Sequence, residues 1–254
     1  MTKNNTINGN YIAALDIGTS KVVCLIGSIS DSHSIEIVAM GSYPSSGLKK
    51  GVVVNIDATT DAIQKSIEQA KNSFEGKIKN VFVGIAGNHI KSLNSHGIVG
   101  IKDKEVTQLD IEKVIDAAQA VAIPSDQRVL HVLPQEFVID DQDAIREPLG
   151  MSGVRLESHV HLVTCANNAI QNIEKCVKRC GIGIDGFVLE QLASSYSILS
   201  NDEKELGVCI VDIGGGTTDI AIFNNGSICF TGVIPIAGDQ VTSDIAVALS
   251  LIHI

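Results

Sequence analysis

The chain has 254 residues, 44% hydrophobic and 19% charged, with a net charge of −10. This length suits one large or two modest domains with a substantial core. Aromatics are only 4% and Trp is absent, so Ile, Val and Leu must build that core. The charge disfavours nonspecific DNA or RNA binding, which needs Lys and Arg to neutralise phosphates. It leaves room for a small anion held by backbone N–H groups and a metal.

Residues 1–10, "MTKNNTINGN", read as a disordered tail without the apolar stretch of a leader. "YIAALDIGTSKVVCLIG" predicts strand, tight turn, strand, and Ile35–Met40 a third strand. In "NIDATTDAIQKSIEQAKNSF", Ile63, Ile67, Ala70 and Phe74 share one helical face, and Asn55 or Asp57 can cap its start. Val81–Gly87 is a buried strand ending in glycine.

From 88 to 163 the pattern changes to alternating strands and one helix, an inserted α+β subdomain. Thr107 and Asp110 have capping-box spacing before a helix with Ile111, Val114, Ile115 and Ala118 on its apolar face. Val129–Leu133 and Glu136–Ile139 are expected as strands, with two more within 152–166. At Asn167 a helix begins with Ile170, Ile173, Val177 and Cys180 inward, stopped by Gly181. A strand over 184–189 and a helix over 190–199 follow, then "NDEKEL" as a charged loop. The rest predicts a β-meander with a hairpin turn at Asn225-Gly226, then a helix from Gly238-Asp239 with Val241, Ile245 and Ala248 inward.

The six cysteines, at 24, 165, 176, 180, 209 and 229, form no C-x-x-C pair and read as buried thiols of a reduced cytoplasmic protein. No run of 18 apolar residues occurs. His159 and His161 share a strand face, but the sequence fixes no third ligand beside them.

Two segments share one plan: an apolar strand ends in Asp-Ile-Gly, and small or hydroxylic residues lead into a second strand. These are "LDIGTSK" around Asp16 and "VDIGGGTTD" around Asp212, 196 residues apart. Glycine-rich turns gather backbone N–H groups into an anion-holding concavity. Thr19, Ser20, Thr217 and Thr218 add hydroxyl donors, and Gly18, Gly214, Gly215 and Gly216 allow close approach. Asp16 and Asp212 would repel phosphate directly but suit Mg²⁺ and its waters. The rival is a pair of plain tight hairpins. An aspartic protease is disfavoured because Ile17 and Ile213 stand where its loops carry Thr or Ser. No G-x-x-x-x-G-K-[ST] is present for a P-loop.

These motifs resemble the actin/Hsp70/sugar-kinase superfamily. Within it, "PSSGLKKGVVVNIDA", "EVTQLDI", "RVLHVLPQEFVID", "GMSGVRL", "VHLVTC" and "LASSYSIL" resemble segments of the FtsA family of bacterial cell-division proteins, in the same order, from about Tyr11 to Ala248. The resemblance implies an α/β, ribonuclease H-like actin fold. Subdomain 1A would comprise 11–87 plus 164–204, interrupted by a small α+β subdomain, 1C (SHS2), at 88–163. Residues 205–254 would be a partial 2A.

The resemblance further implies ATP and Mg²⁺ in the cleft, held by Asp16, Gly18, Thr19, Ser20, Lys21, Gly214, Gly215, Gly216, Thr217 and Gly238. Asp16 and Asp212 would hold the metal through water. Glu190 would orient attacking water beside Asp212, the alternative being a plain N-terminal helix glutamate. Lys21 is open between a phosphate contact and an exposed hairpin lysine, and Asp239 is read as an N-cap. The implied role is scaffolding with at most weak hydrolysis: self-association into filaments, FtsZ binding, and recruitment of later division proteins through 88–163. Attachment would be to the cytoplasmic face of the inner membrane through a C-terminal helix. The second half is read as incomplete, with 2B and that helix absent and the similarity ending near Ala248. A sugar-type kinase or an Hsp70-like ATPase of the same superfamily is the alternative.

Overall fold

A computed structural model describes residues 11–30 and 34–251; the expected N-terminal tail lies outside the described residues. In chain order, β1 (Tyr11–Ile17), β2 (Lys21–Ile29) and β3 (Ile35–Pro44) form an antiparallel meander. A small ribbon of β4 (Leu48–Lys49) and β5 (Val52–Val53) leads into α1 (Ile56–Lys71) and then β6 (Asn80–Ile85). Next come β7 (Ile90–Gly100), α2 (Gln108–Gln119), β8 (Gln127–Ile139), β9 (Gln142–Ile145) and β10 (Arg155–Ala166). The chain continues through α3 (Asn167–Arg179), β11 (Gly183–Leu189), α4 (Glu190–Ile198) and α5 (Asn201–Leu206). It closes with β12 (Val208–Ile213), β13 (Thr218–Asn224), β14 (Ser227–Ile234) and α6 (Gly238–Ala248).

Three main sheets result, in the orders β11-β6-β1-β2-β3, β7-β10-β8-β9 and β12-β13-β14. The largest core lies between the first sheet and α1 and α3, where Leu15, Val22, Ile26, Ile63, Ile67, Ile170 and Val177 are buried. Asn55 caps α1, its Oδ1 accepting from the Ala58 N–H at 3.0 Å. α1 rests directly on β3 at Gly41, where a Cβ would overlap the Ser66 carbonyl and approach the Ala70 nitrogen to 2.5 Å. Phe74, expected on the face of α1, lies past its end and packs half-buried against the same core.

The second sheet departs from the sequence reading in two places. The two strands expected within 129–139 are one, β8. Pro134 lacks an N–H, but its backbone pairs with Val160 on one side only, where the ladder shifts register, and the β9 pairing begins at Phe137. The two strands expected within 152–166 are likewise the single strand β10, whose burial alternates up to Val160 and is then continuous from Val160 to Cys165. That change marks where the strand gains cover on its second face. The capping box expected at Thr107 and Asp110 is present.

In the last part, "NDEKEL" is a helix rather than a loop. Ser200 and Glu203 form a second capping box, which the preceding serine signalled. Asn225 and Gly226 take φ of 48° and 72°, as the predicted hairpin turn requires. Val241 and Ile245 of α6, expected inward, are 55% and 53% exposed, and no residue of this helix is buried. Cys209, expected to be buried, is exposed because it points from the uncovered face of β12.

Candidate phosphate-binding cleft

The two glycine turns have the same length and closure. Ile17 pairs with Val22 and Ile213 with Thr218, leaving residues 18–21 and 214–217 between them. In each turn the first glycine donates its N–H to the carbonyl of the fourth residue: Gly18 to Lys21 at 3.1 Å and Gly214 to Thr217 at 2.9 Å. A side chain on either glycine would press on that same carbonyl, at 2.9 and 3.2 Å. Gly18 and Gly214 therefore shape the turns. The middle positions, Thr19 and Ser20 in one and Gly215 and Gly216 in the other, have backbone N–H groups without a protein acceptor among the described residues.

The turns face each other. A Cβ on Gly215 would stand 3.0 Å from the Ser20 Cβ, and one on Gly216 would stand 2.7 Å from the Thr19 Oγ1. Glycine is thus needed for the second turn to lie against the first. The cavity between them measures about 290 Å³. Its lining contains Asp16, Gly18, Thr19, Ser20, Lys21, Glu190, Asp212, Gly214, Gly215, Gly216 and Thr217, together with Asp219.

Gly238 is not part of that lining. It sits behind the second turn, its N–H donating to the Gly214 carbonyl at 3.1 Å, and Asp239 N–H donates to Gly215 at 3.0 Å. The N-cap of α6 is Ala237, so Asp239 is not the cap the sequence suggested. Its carboxylate lies beside Gly215 instead.

Carboxylates gather at the base. Asp212 and Asp219 are directly opposed across β12 and β13, a pairing that repels when both are charged. Burial, then Asp212, pushes Asp219 up to about 6 despite the hydrogen bond from Thr217 Oγ1 at 2.9 Å. Burial and Asp212 also raise Asp16, with Lys21 opposing them. Glu190, the first residue of α4, is raised well above the usual carboxylate range by burial and by Asp16, Asp219 and Asp212 in turn. Such a cluster lowers its energy by taking up protons or a cation.

Three contributors escaped the sequence reading. Gly84 of β6 leaves room for Glu190, since a Cβ there would stand 3.2 Å from its Cγ. Gln191 donates to Asp219 Oδ1 at 2.9 Å, and Ser194 Oγ donates to Asp212 Oδ2 at 3.4 Å. On α4, Glu190 and Ser194 are four residues apart and Gln191 and Ser194 three, so Ser194 neighbours both. His161 is buried between Asn94 and Thr231, while His159 lies 3.5 Å from Glu136; among the described residues no group of three or more His, Cys, Asp or Glu is arranged to ligate a metal directly.

Comparison with known proteins follows the same division of the chain. The model for the SHS2 domain inserted in FTSA matches residues 87–164, and that for Cell division protein FtsA matches 209–252, four residues past the expected end at Ala248. Cell division protein FtsA of Pseudomonas aeruginosa is 66% identical over 242 residues, 95% of this chain and 58% of that protein. The protein of the same name from Neisseria meningitidis is 52% identical, covering 94% and 58%, and that of Escherichia coli K12 is 46% identical, covering 93% and 56%. The chain therefore spans little more than half the length of these relatives. Among solved structures, the PilM-PilN type IV pilus biogenesis complex aligns with a TM-score of 0.68 at 15% identity, over 94% of this chain and 66% of that one. The ethanolamine utilization protein EutJ from Carboxydothermus hydrogenoformans aligns at 0.55 and 15%, over 97% and 59%. At such identity these structures speak for the actin-like fold alone.

Proposed function

As the chain belongs, over the part it spans, to the FtsA family of cell-division proteins, we propose that its facing turns hold the phosphates of Mg-ATP. The observation that carries this reading is the pair of matched turns, whose middle amides have no protein acceptor among the described residues, closing on a cavity floored by carboxylates.

The residues fit the ligand. Thr19, Ser20, Gly215 and Gly216 offer N–H groups, Thr19, Ser20 and Thr217 add hydroxyls, and Lys21 adds a cation. Asp16 and Asp212 would hold Mg²⁺ through its waters, the metal supplying charge neutralisation between the carboxylates and the phosphates. Gln191 and Ser194 keep Asp219 and Asp212 in place. Glu190, protonated more readily than a free glutamate, is the group placed to hold and exchange a proton with a water in the cleft. Gly238 supports the second turn from behind.

For the whole protein we propose an actin-like scaffold in which nucleotide tunes polymerisation and hydrolysis is weak. We divide the chain into 11–87 plus 164–204, 88–163 and 205–254, corresponding to 1A, 1C and part of 2A. FtsZ, self-association, later division proteins meeting 88–163, and the cytoplasmic face of the inner membrane are the proposed partners and place of action. Among the described residues no helix is long and apolar enough to cross a membrane. The kinase and Hsp70-like readings are not favoured, since the matched relatives bear the FtsA name. Calorimetric titration with Mg-ATP tests the site: Asp212→Ala abolishes binding if the reading holds, and unchanged affinity refutes it.

A further inference from the structure

β14 is the outer strand of the β12-β13-β14 sheet, so one row of its backbone groups has no strand neighbour. The inserted sheet covers that row with side chains. The Thr231 carbonyl accepts from Ser92 Oγ at 3.0 Å, Cys229 from Asn94 Nδ2 at 3.2 Å, and Ile228 from Gln135 Nε2 at 3.0 Å. Ser227 Oγ donates back to the Gln135 carbonyl at 2.8 Å. In register across the inserted sheet, Asn94, His161 and Leu133 stand side by side. The His161 ring nitrogens lie 2.7 Å from Asn94 Oδ1 and 3.1 Å from Thr231 Oγ1, and Leu133 packs on the Ile210 cluster of the meander. At the far end Arg146 pairs with Glu205 and donates to the Asn225 carbonyl at 2.6 Å.

By covalent connection the insert belongs to the first half, leaving it after β6 and returning into α3. By hydrogen bonding it also grips the second half. The gripped strand is tied to the second glycine turn. Thr218 Oγ1 donates to the Ile236 carbonyl at 2.7 Å just beyond β14, and Gly238 and Asp239 hold Gly214 and Gly215. β14 and the second turn are therefore joined by hydrogen bonds as well as by the chain.

We propose that the insert is a latch between the halves: it holds the pose in which the two turns touch, and a phosphate group seated between them loosens it. The coupling rests on the phosphate reading given above. In the latched pose Thr19 and Ser20 lie against Gly216 and Gly215. A ligand entering there parts the turns, carries β14 with the second turn, and draws it away from Ser92, Asn94 and Gln135. Linkage makes the effect reciprocal, so weakening the latch strengthens ligand binding. The cleft then controls how the insert's outer face is presented.

The double variant Asn94→Ala/Gln135→Ala removes two latch bonds, and with them the Asn94–His161 contact, without touching a residue that lines the phosphate cavity; Lys102→Ala, exposed on the insert, is the control. Hydrogen exchange is followed by mass spectrometry in peptides covering β7, β8 and β14, without nucleotide and with saturating Mg-ATP, alongside Mg-ATP titrations. Without nucleotide, exchange in these peptides is about tenfold faster in the double variant than in the wild type, the effect of roughly two neutral hydrogen bonds. Unchanged exchange overturns the latch. Mg-ATP speeds exchange in the same wild-type peptides, and the variant binds it about tenfold more tightly, with the control unaffected. Faster exchange with equal affinity overturns the coupling. Absence of Mg-ATP binding in the wild type overturns the phosphate reading and the coupling with it, while the nucleotide-free exchange still decides the latch.

Discussion

His161→Gln should flatten the acid limb of the stability curve. His161 is 2% exposed, and burial pushes its imidazole down to about 4 from 6.5. Unfolding frees the ring to take a proton that the folded protein refuses between those two values. The unfolded state then binds more protons, so stability falls as pH drops through this window and is intact above it. With the folded ring near 4 and the free ring near 6.5, linkage gives about 3 kcal/mol lost by pH 4. Glutamine keeps a donor and an acceptor for Asn94 and Thr231 but does not titrate. Asp219 moves the other way, being raised to about 6, so its proton favours the fold as pH falls from 6 toward 4. That contribution is the same in both proteins and cancels, as do those of His89 and His131, both lowered by burial. Urea unfolding at pH 7, 6, 5 and 4.5 with a chelator gives the two curves. The wild type loses stability relative to the variant by about 2–3 kcal/mol across this range, and parallel curves would refute the reasoning.

Gly41→Ala drives a methyl into the α1 backbone at the Ser66 carbonyl; it costs about 1–3 kcal/mol in denaturant unfolding, and a neutral change would show that α1 does not seat on β3 as described. Native-state thiol labelling modifies the exposed Cys209 first. Cys24 and Cys165, buried and pushed up to about 11 and about 12, stay unreacted until the protein unfolds. Early modification of either buried thiol would contradict the packing of the first core.

Both glycine turns, the capping boxed helix at Thr107 and the Asn225-Gly226 hairpin were legible because each has a local physical cause: backbone approach, orphan N–H groups, and positive φ. Asp16, Asp212 and the hydroxyls of the cleft were legible for the same reason, since each lies within a few residues of a glycine turn, whereas Glu190 was legible only through the family resemblance. What escaped depends on partners far along the chain. Two strands were expected over Val129–Leu133 and Glu136–Ile139, but the place of Pro134 in the sheet leaves one side of its backbone unpaired, so β8 runs through it. Gly84 gains its meaning only from Glu190, more than a hundred residues later. His161 looked like a strand histidine beside His159, and its burial comes from β14, which no local pattern announces. The helical period placed Val241 and Ile245 on one face of α6, but periodicity cannot say whether anything covers that face.

A double-mutant cycle on Asp16 and Asp212 tests most directly whether the two turns make one site. Mg-ATP affinity, with and without chelator, is measured for the wild type, Asp16→Asn, Asp212→Asn and the double variant. If both carboxylates serve one magnesium, each single variant loses the metal-dependent part of binding and the double loses no more than either. Losses that add would contradict the account, because the two turns would then be acting as separate sites.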